Sequence, residues 1–158
     1  FAENGTITPA NSSSISDGAS ALLLASEQAV ETHGLTARAR IVAHSRNSLA
    51  PEAFTLAPIG AAEDVLAKAG WAVSDVDLWE INEAFAMVTM LTMDALKLDP
   101  SCVNVHGGAC AQGHPIGSTG SRIIVTLMHA LEHYGKKRGV AALCIGGGEA
   151  TAVAIELV

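Results

Sequence analysis

Residues 139–157 read GVAALCIGGGEATAVAIEL, two apolar runs on either side of Gly146–Gly147–Gly148. Each run is short, rich in Ala, Val, Ile and Leu, and bounded by turn residues. That pattern predicts two buried strands, residues 139–145 and 151–157, closed by a tight glycine turn and antiparallel to one another. Cys144 is the last but one residue before the turn, so the hairpin sets a thiol beside three glycines.

Working outward, strand-like and helix-like stretches alternate. Residues 117–134 place Ile123, Ile124, Leu127, Met128 and Leu131 at helical spacing. Residues 83–98 are predicted helical and apolar almost all round, stopped by Pro100, and so expected to be buried on most sides. Residues 76–81 read as a strand, and residues 103–107 as a short extended piece. Pro58 opens a helix that ends at Gly70, and residues 39–45 form another strand. Ser26 caps a short helix that stops near Gly34, and the compact run 19–25, with Leu22, Leu23 and Leu24, is read as a buried strand. Strands separated by helices predict an α/β fold, a mostly parallel sheet covered by helices with an antiparallel last strand. No low-complexity linker or internal repeat follows the first sixteen residues, so one domain is expected.

Composition narrows the function. Of 158 residues, 49% are apolar and 16% charged, too apolar for a disordered chain. A net charge of −7 with 4% aromatics argues against a nucleic-acid partner. The two basic clusters, Arg38 with Arg40 and Lys136–Lys137–Arg138, read as ordinary solvated faces. No uninterrupted apolar run reaches the ~18 residues of a membrane span, and no basic-then-apolar leader opens the chain. Three cysteines form neither a zinc pattern nor a disulfide framework, so reduced thiols in a reducing compartment, and no metal, are expected. A dinucleotide fingerprint is not supported, because Ala25–Ser26–Glu27 follows the first predicted strand where glycines would be needed. Phe1 and the loop-like residues 1–16 read as the middle of a longer protein.

Three segments are unlike ordinary packing sequence: Asn82–Glu83–Ala84–Phe85, residues 107–117 and residues 144–148. His114 lies between Gly113 and Pro115 just before a helix. It is placed to deprotonate a nucleophile or to donate to an oxyanion, or else to satisfy loop carbonyls. Cys144 reads as a nucleophile or base, or as a buried core cysteine. The glycines after it free backbone N–H groups to face a developing negative charge. Asn82 holds a water or polarises a carbonyl, or simply caps the helix that follows. His106, Cys102 and Cys110 are weaker candidates, with Cys110 marked for a control mutation. His33, His44, His129 and His133 read as surface or helix residues.

Taken together, the segments resemble the C-terminal half of the thiolases, the acetyl-CoA acetyltransferases and 3-ketoacyl-CoA thiolases. The resemblance rests on N-S-S-S-I-S-D-G-A at residues 11–19, N-E-A-F at 82–85, G-G-A-C-A-Q-G-H-P-I-G-S-T-G at 107–120 and C-I-G-G-G at 144–148. All four occur in the family's order, across essentially the whole chain. The resemblance implies a thiolase-like half with a five-stranded mixed sheet. Residues 1–18 would be a loop continuing from an N-terminal half, and residues 19–158 the C-terminal domain.

It further implies acyl transfer between acyl-CoA molecules, by thiolytic cleavage or Claisen condensation of 3-ketoacyl-CoA. The acyl-enzyme would form on a nucleophilic cysteine of the N-terminal half, with which none of the three cysteines here aligns. By the same resemblance His114 would activate that nucleophile and share an oxyanion hole with a water held by Asn82. Cys144 would be the acid/base at the α-carbon, and Gly146 would offer its N–H to a second oxyanion hole. Ser13 would contact the pantetheine arm of coenzyme A, Phe85 would line its tunnel, and Phe54 would stand near the acyl group. No cofactor is implied, because coenzyme A thioesters enter as substrates. A homodimer or homotetramer is expected of the whole protein, in the cytoplasm with the mitochondrion or peroxisome as alternatives, and the isolated chain is expected to be inactive and to self-associate. A non-catalytic acyl-CoA-binding module or partner subunit is the alternative. Ser14, Ser16, Gln112 and Glu149 depart from the usual family residues.

Overall fold

The computed structural model describes residues 2–158. Four strands form one mixed sheet: β1 (Ala39–Ser48), β2 (Leu78–Ile81), β3 (Arg138–Ile145) and β4 (Glu149–Leu157), in the order β1-β4-β3-β2. The C-terminal hairpin is its centre. β3 pairs antiparallel with β4 from Arg138↔Glu156 to Ile145↔Glu149, and residues 146–148 make the turn. Alternate residues therefore face opposite layers. Val140 and Ala142 point to one core with Ala150, Ala152 and Ala154, whereas Ala141 points to the other with Ile155. The alanines keep the sheet thin enough for helices to lie close on it.

The helices are α1 (Glu27–His33), α2 (Ala57–Ala69), α3 (Ala86–Leu96), the single turn α4 (Ala109–Gln112) and α5 (Thr119–His133). Ser26 caps α1 by accepting from the Ala29 N–H, and Gly34 ends it in the left-handed conformation, as the sequence predicts. Gly70 ends α2 in the same way. One core joins α2, through Ala61, Ala62, Val65 and Leu66, to Trp79, Ile81 and the alanine face of the hairpin. The other joins α5, through Ile123, Leu127, Ala130 and Leu131, to Leu78, Ala141 and Ile155.

Five expectations need correction. The sheet has four strands among the described residues, not five, and it is not mostly parallel: only β2 and β3 run parallel, while β1–β4 and β3–β4 are antiparallel. The missing strand is residues 19–25. Their backbone makes no hydrogen bond among the described residues, and Leu23 and Leu24 are 85% and 71% exposed. Strand-like composition is not sufficient, because a strand exists only when a second backbone satisfies its N–H and C=O groups. The helix predicted over residues 83–98 is shorter, and only Val88, Thr89 and Thr92 are buried in it. Met90 is 62% exposed, because no described element packs on that side. Residues 103–107 are a turn with one bridge, Trp79↔Val103, and Asn104 has a positive φ of 47°.

Candidate active site

β2 and β3 run parallel, so their C-terminal ends open at the same edge of the sheet. Asn82 follows Ile81 directly, and its N–H donates to the Ala142 carbonyl, which extends the β2–β3 ladder by one residue. That bond fixes Asn82 at the strand end, 1% exposed. It is not a helix cap: α3 starts at Ala86 with Phe85 at the cap position. Instead its Nδ2 points at His114 Nε2, 3.5 Å away, and its Oδ1 is buried with no partner among the described residues.

His114 is held from three sides. Its backbone N–H donates to the Ser14 carbonyl, Gly113 precedes it with φ 90°, and its Nδ1 lies 2.7 Å from Thr119 Oγ1. The Thr119 hydroxyl donates its single proton to the Pro115 carbonyl at 3.0 Å. Its oxygen can then only accept from His114, so Nδ1 carries the hydrogen and Nε2 presents a bare lone pair to Asn82. The amide Nδ2 facing that lone pair is a donor facing an acceptor. Partial burial, reinforced by the Arg122 guanidinium, holds the imidazole below the ordinary histidine value. At neutral pH His114 is thus a neutral imidazole with its basic nitrogen turned into the site.

Cys144 sits at the end of β3, 7% exposed, in register with Ala150. Burial pushes its thiol up, so it is protonated at neutral pH. It is on the strand next to Asn82, but it makes no hydrogen bond to Asn82 or His114. Gly146 lies in the β3–β4 turn, and the turn is braced by the Leu49 N–H donating to the Gly148 carbonyl.

The remaining predicted residues gather on the other side of Asn82. Ser13 donates from both its N–H and its hydroxyl to the Ala84 carbonyl, and Ser12 bridges Phe85. Phe85 meets Phe54 edge to face at 6.2 Å between ring centroids, with Phe54 carried on the 3-10 turn Pro51–Leu56. Contacts thus tie Ser13 to the 82–85 segment, Phe54 to Phe85, and Asn82 to His114. Cys110 is a poor nucleophile here. Its N–H donates to Glu83, and burial and the Glu83 carboxylate both raise its thiol.

Sequence reasoning passed over three polar residues at this edge: Thr119, Arg122 and Glu80. The visible signal for Glu80 is a charge inside an otherwise apolar strand, Leu-Trp-Glu-Ile. For Thr119 it is a hydroxyl five residues after the histidine, on the first turn of α5. No group of three or more metal-ligating side chains occurs among the described residues. No described helix is long and apolar enough to cross a membrane. A hollow of about 760 Å³ is elsewhere: it lies between residues 21–25, α5 and the β1–β4 side of the sheet.

Comparison with known proteins adds two family matches. Residues 35–157 match the thiolase C-terminal domain, and residues 1–28 match the thiolase N-terminal domain. The unpaired run 19–25 lies wholly within the second match. Cytosolic acetyl-CoA acetyltransferase of Mus musculus is 49% identical over 96% of this chain and 38% of its own length. The mitochondrial 3-ketoacyl-CoA thiolase of the same organism is 44% identical over 99% of the chain and 39% of its own length. The crystal structure of the Bacillus anthracis acetyl-CoA acetyltransferase superposes with a TM-score of 0.97 at 41% identity, over 100% of this chain and 40% of that one. An Ascaris suum thiolase in complex with coenzyme A gives a TM-score of 0.90 at 40% identity, over 100% of this chain and 41% of that one. The chain thus spans about two-fifths of the length of these relatives.

Proposed function

The chain belongs to the thiolase family, and from that premise we propose that it carries the acid/base half of an acyl-transfer site for coenzyme A thioesters. The observation that carries the reading is the bare Nε2 of His114 facing the buried Asn82 amide, at the open end of a parallel strand pair. An N-terminal thiolase domain supplies the nucleophilic cysteine. His114 Nε2 takes the thiol proton, and the thiolate attacks the 3-keto carbon of the substrate. The acyl group stays on the cysteine, and the electron pair of the broken carbon–carbon bond moves onto the departing thioester as an enolate. The imidazolium then has a proton on Nε2, so the base of the first step becomes a donor to that enolate oxygen. Asn82 Nδ2 stands beside it to hold a bridging water.

Cys144 protonates the enolate carbon and regains its proton from the incoming coenzyme A thiol, whose sulfur then takes the acyl group, while the released cysteine recovers the proton held on His114. The buried state of Cys144 suits the role, since a thiol raised by burial is the acid that thiolysis requires. The condensation direction requires the thiolate, which the same burial disfavours. Gly146 contributes a backbone N–H to the second oxyanion hole. Ser13, Phe85 and Phe54 contact the pantetheine arm and the acyl chain. The site needs no cofactor, since the thioesters are themselves substrates. The whole enzyme is read as a homodimer or homotetramer working in the cytoplasm.

The test is thiolysis of acetoacetyl-CoA by this chain alone and mixed with a thiolase N-terminal domain, with folding of both checked by circular dichroism. Inactivity alone and activity in the mixture is the expected result. In the active mixture, Cys144→Ala should lower turnover by several orders of magnitude. Activity of the chain alone, lost on Cys110→Ala, would place the nucleophile here and overturn the reading. Two folded, inactive halves would favour a non-catalytic acyl-CoA-binding module.

A further inference from the structure

A buried pair of charges, Glu80 and Arg122, touches no substrate in the chemistry above. Glu80, on β2, is 2% exposed and faces the α5 layer. Its Oε2 is 3.8 Å from Arg122 Nη1, and its Oε1 is buried without a partner among the described residues. Arg122, on the first turn of α5, has a side chain only 18% exposed. Its Nη1 also reaches Gln112 Oε1 at 3.4 Å and Thr126 Oγ1 at 3.5 Å. The Gln112 amide is oriented for this by donating its Nε2 hydrogens to the His106 and Gly107 carbonyls, at 2.7 and 3.3 Å. An acceptor is thus built for the guanidinium.

A buried ion pair this loosely closed is a poor source of stability. The carboxylate loses hydration, gains a contact 3.8 Å long and leaves one oxygen unbonded. We propose that Arg122 and Glu80 are positioning residues for His114: a sequestered guanidinium, seated by Glu80 and Gln112, whose charge is cancelled to a degree that Glu80 sets and which keeps Nε2 available. Arg122 lies three residues along α5 from Thr119, which touches the imidazole, and its Nη1 reaches Gln112, two residues before His114, so the charge stands on the helix face that meets the ring, and Glu80 governs how much of it His114 feels. While Glu80 is ionised the pair is nearly neutral. When Glu80 takes up a proton, Arg122 stands alone and opposes protonation of the imidazole.

Burial, only partly offset by Arg122 and augmented by nearby Glu83, raises Glu80 to about 7. As the pH falls, Glu80 therefore takes the first proton and His114 is left neutral over a wider range. The other titratable groups at this edge are Glu83, between β2 and α3, the Cys110 thiol of α4 that lies against it, and the Cys144 thiol at the end of β3. Asn82 and Thr119, which contact the imidazole directly, do not titrate.

The inference deepens the reading of His114 as a base, but its test is read on the imidazole itself, without activity. The His114 ring resonances of this chain are followed by NMR from about pH 5 to pH 9 in the wild type, Arg122→Gln, Arg122→Lys and Glu80→Gln, with folding monitored by circular dichroism. Arg122→Gln should raise the His114 midpoint by about half a pH unit or more, and Arg122→Lys should hold it near the wild-type value. In the wild type the ring should also sense a second inflection near pH 7, which Glu80→Gln abolishes. A midpoint unmoved by Arg122→Gln in a folded chain, or moved equally by Gln and Lys, would overturn the charge role. The Glu80→Gln arm decides if Arg122→Gln fails to fold: persistence of the second inflection then counts against the proposal.

Discussion

His114 illustrates how a neighbouring hydroxyl can decide the chemistry of an imidazole. Its ring has two nitrogens, and only the Thr119 contact, itself committed to the Pro115 carbonyl, determines which of them is bare. Thr119→Val removes the acceptor for Nδ1–H, so the ring should populate both tautomers. Nitrogen-15 shifts of His114 should report the change. In the complete enzyme turnover should fall about tenfold, the loss expected for one neutral hydrogen bond of ~1.4 kcal/mol. Because the base must be neutral, activity should fall as the pH drops through the His114 midpoint, which lies below the ordinary histidine value. A kcat/KM profile checks this.

Glu80 has the opposite sign of linkage. Its folded value, about 7, lies above the unfolded 4.5, so its contribution to stability is complete below the unfolded value and is lost as the pH rises through the folded one. The melting temperature of Glu80→Gln should therefore depend less steeply on pH than that of the wild type between about pH 5 and pH 8. Thermal unfolding across that range tests it.

At the scale of elements, the β3–β4 turn carries Gly146 and must hold its place against the loop before α2. Gly148 makes this possible. Its φ is 99°, and a Cβ there would stand 2.4 Å from the Leu49 carbonyl oxygen, which is backbone and cannot swing away. Gly148→Ala should destabilise the chain by roughly 1–3 kcal/mol and displace the turn. In an active reconstituted enzyme it should lower turnover even at temperatures where the fold survives. Chemical denaturation and thiolysis, measured on the same variant, check the two effects. The run 19–25 is the contrasting element: strand-like in composition, tethered at Ile15 to His114 and at Ser20 to Ser118, yet unpaired along its backbone.

At the scale of the whole molecule, apolar side chains are left in solvent. Ile15, Leu23, Leu24 and Ile116 are between 70% and 92% exposed. An apolar surface with an extended, unpaired segment beside it favours association. The chain should therefore self-associate with concentration, and a thiolase N-terminal domain should suppress that while protecting the amides of residues 19–25 from hydrogen exchange. Sedimentation and exchange measurements test both. A stable monomer at high concentration, or no gain in protection on mixing, would contradict the expectation.

Local sequence determined a great deal. The glycine-turned hairpin, the caps at Ser26, Gly34 and Gly70, and the periodicity of α5 are written in residues close to one another, where backbone sterics and nearest-neighbour hydrogen bonds act. The unusual segments at Asn82, His114 and Cys144 were equally visible, because each departs from packing sequence. Tertiary structure alone decided the rest. Strand order and direction depend on which backbones meet, so residues 19–25 are a strand in composition and a coil in fact. The tautomer of His114, the release of Asn82 from a capping role and the burial of Glu80 beside Arg122 depend on side chains 5 to 42 positions apart in sequence. Their charges and hydrogen bonds have meaning only after the chain has closed around them, since solvent screens each of them until then.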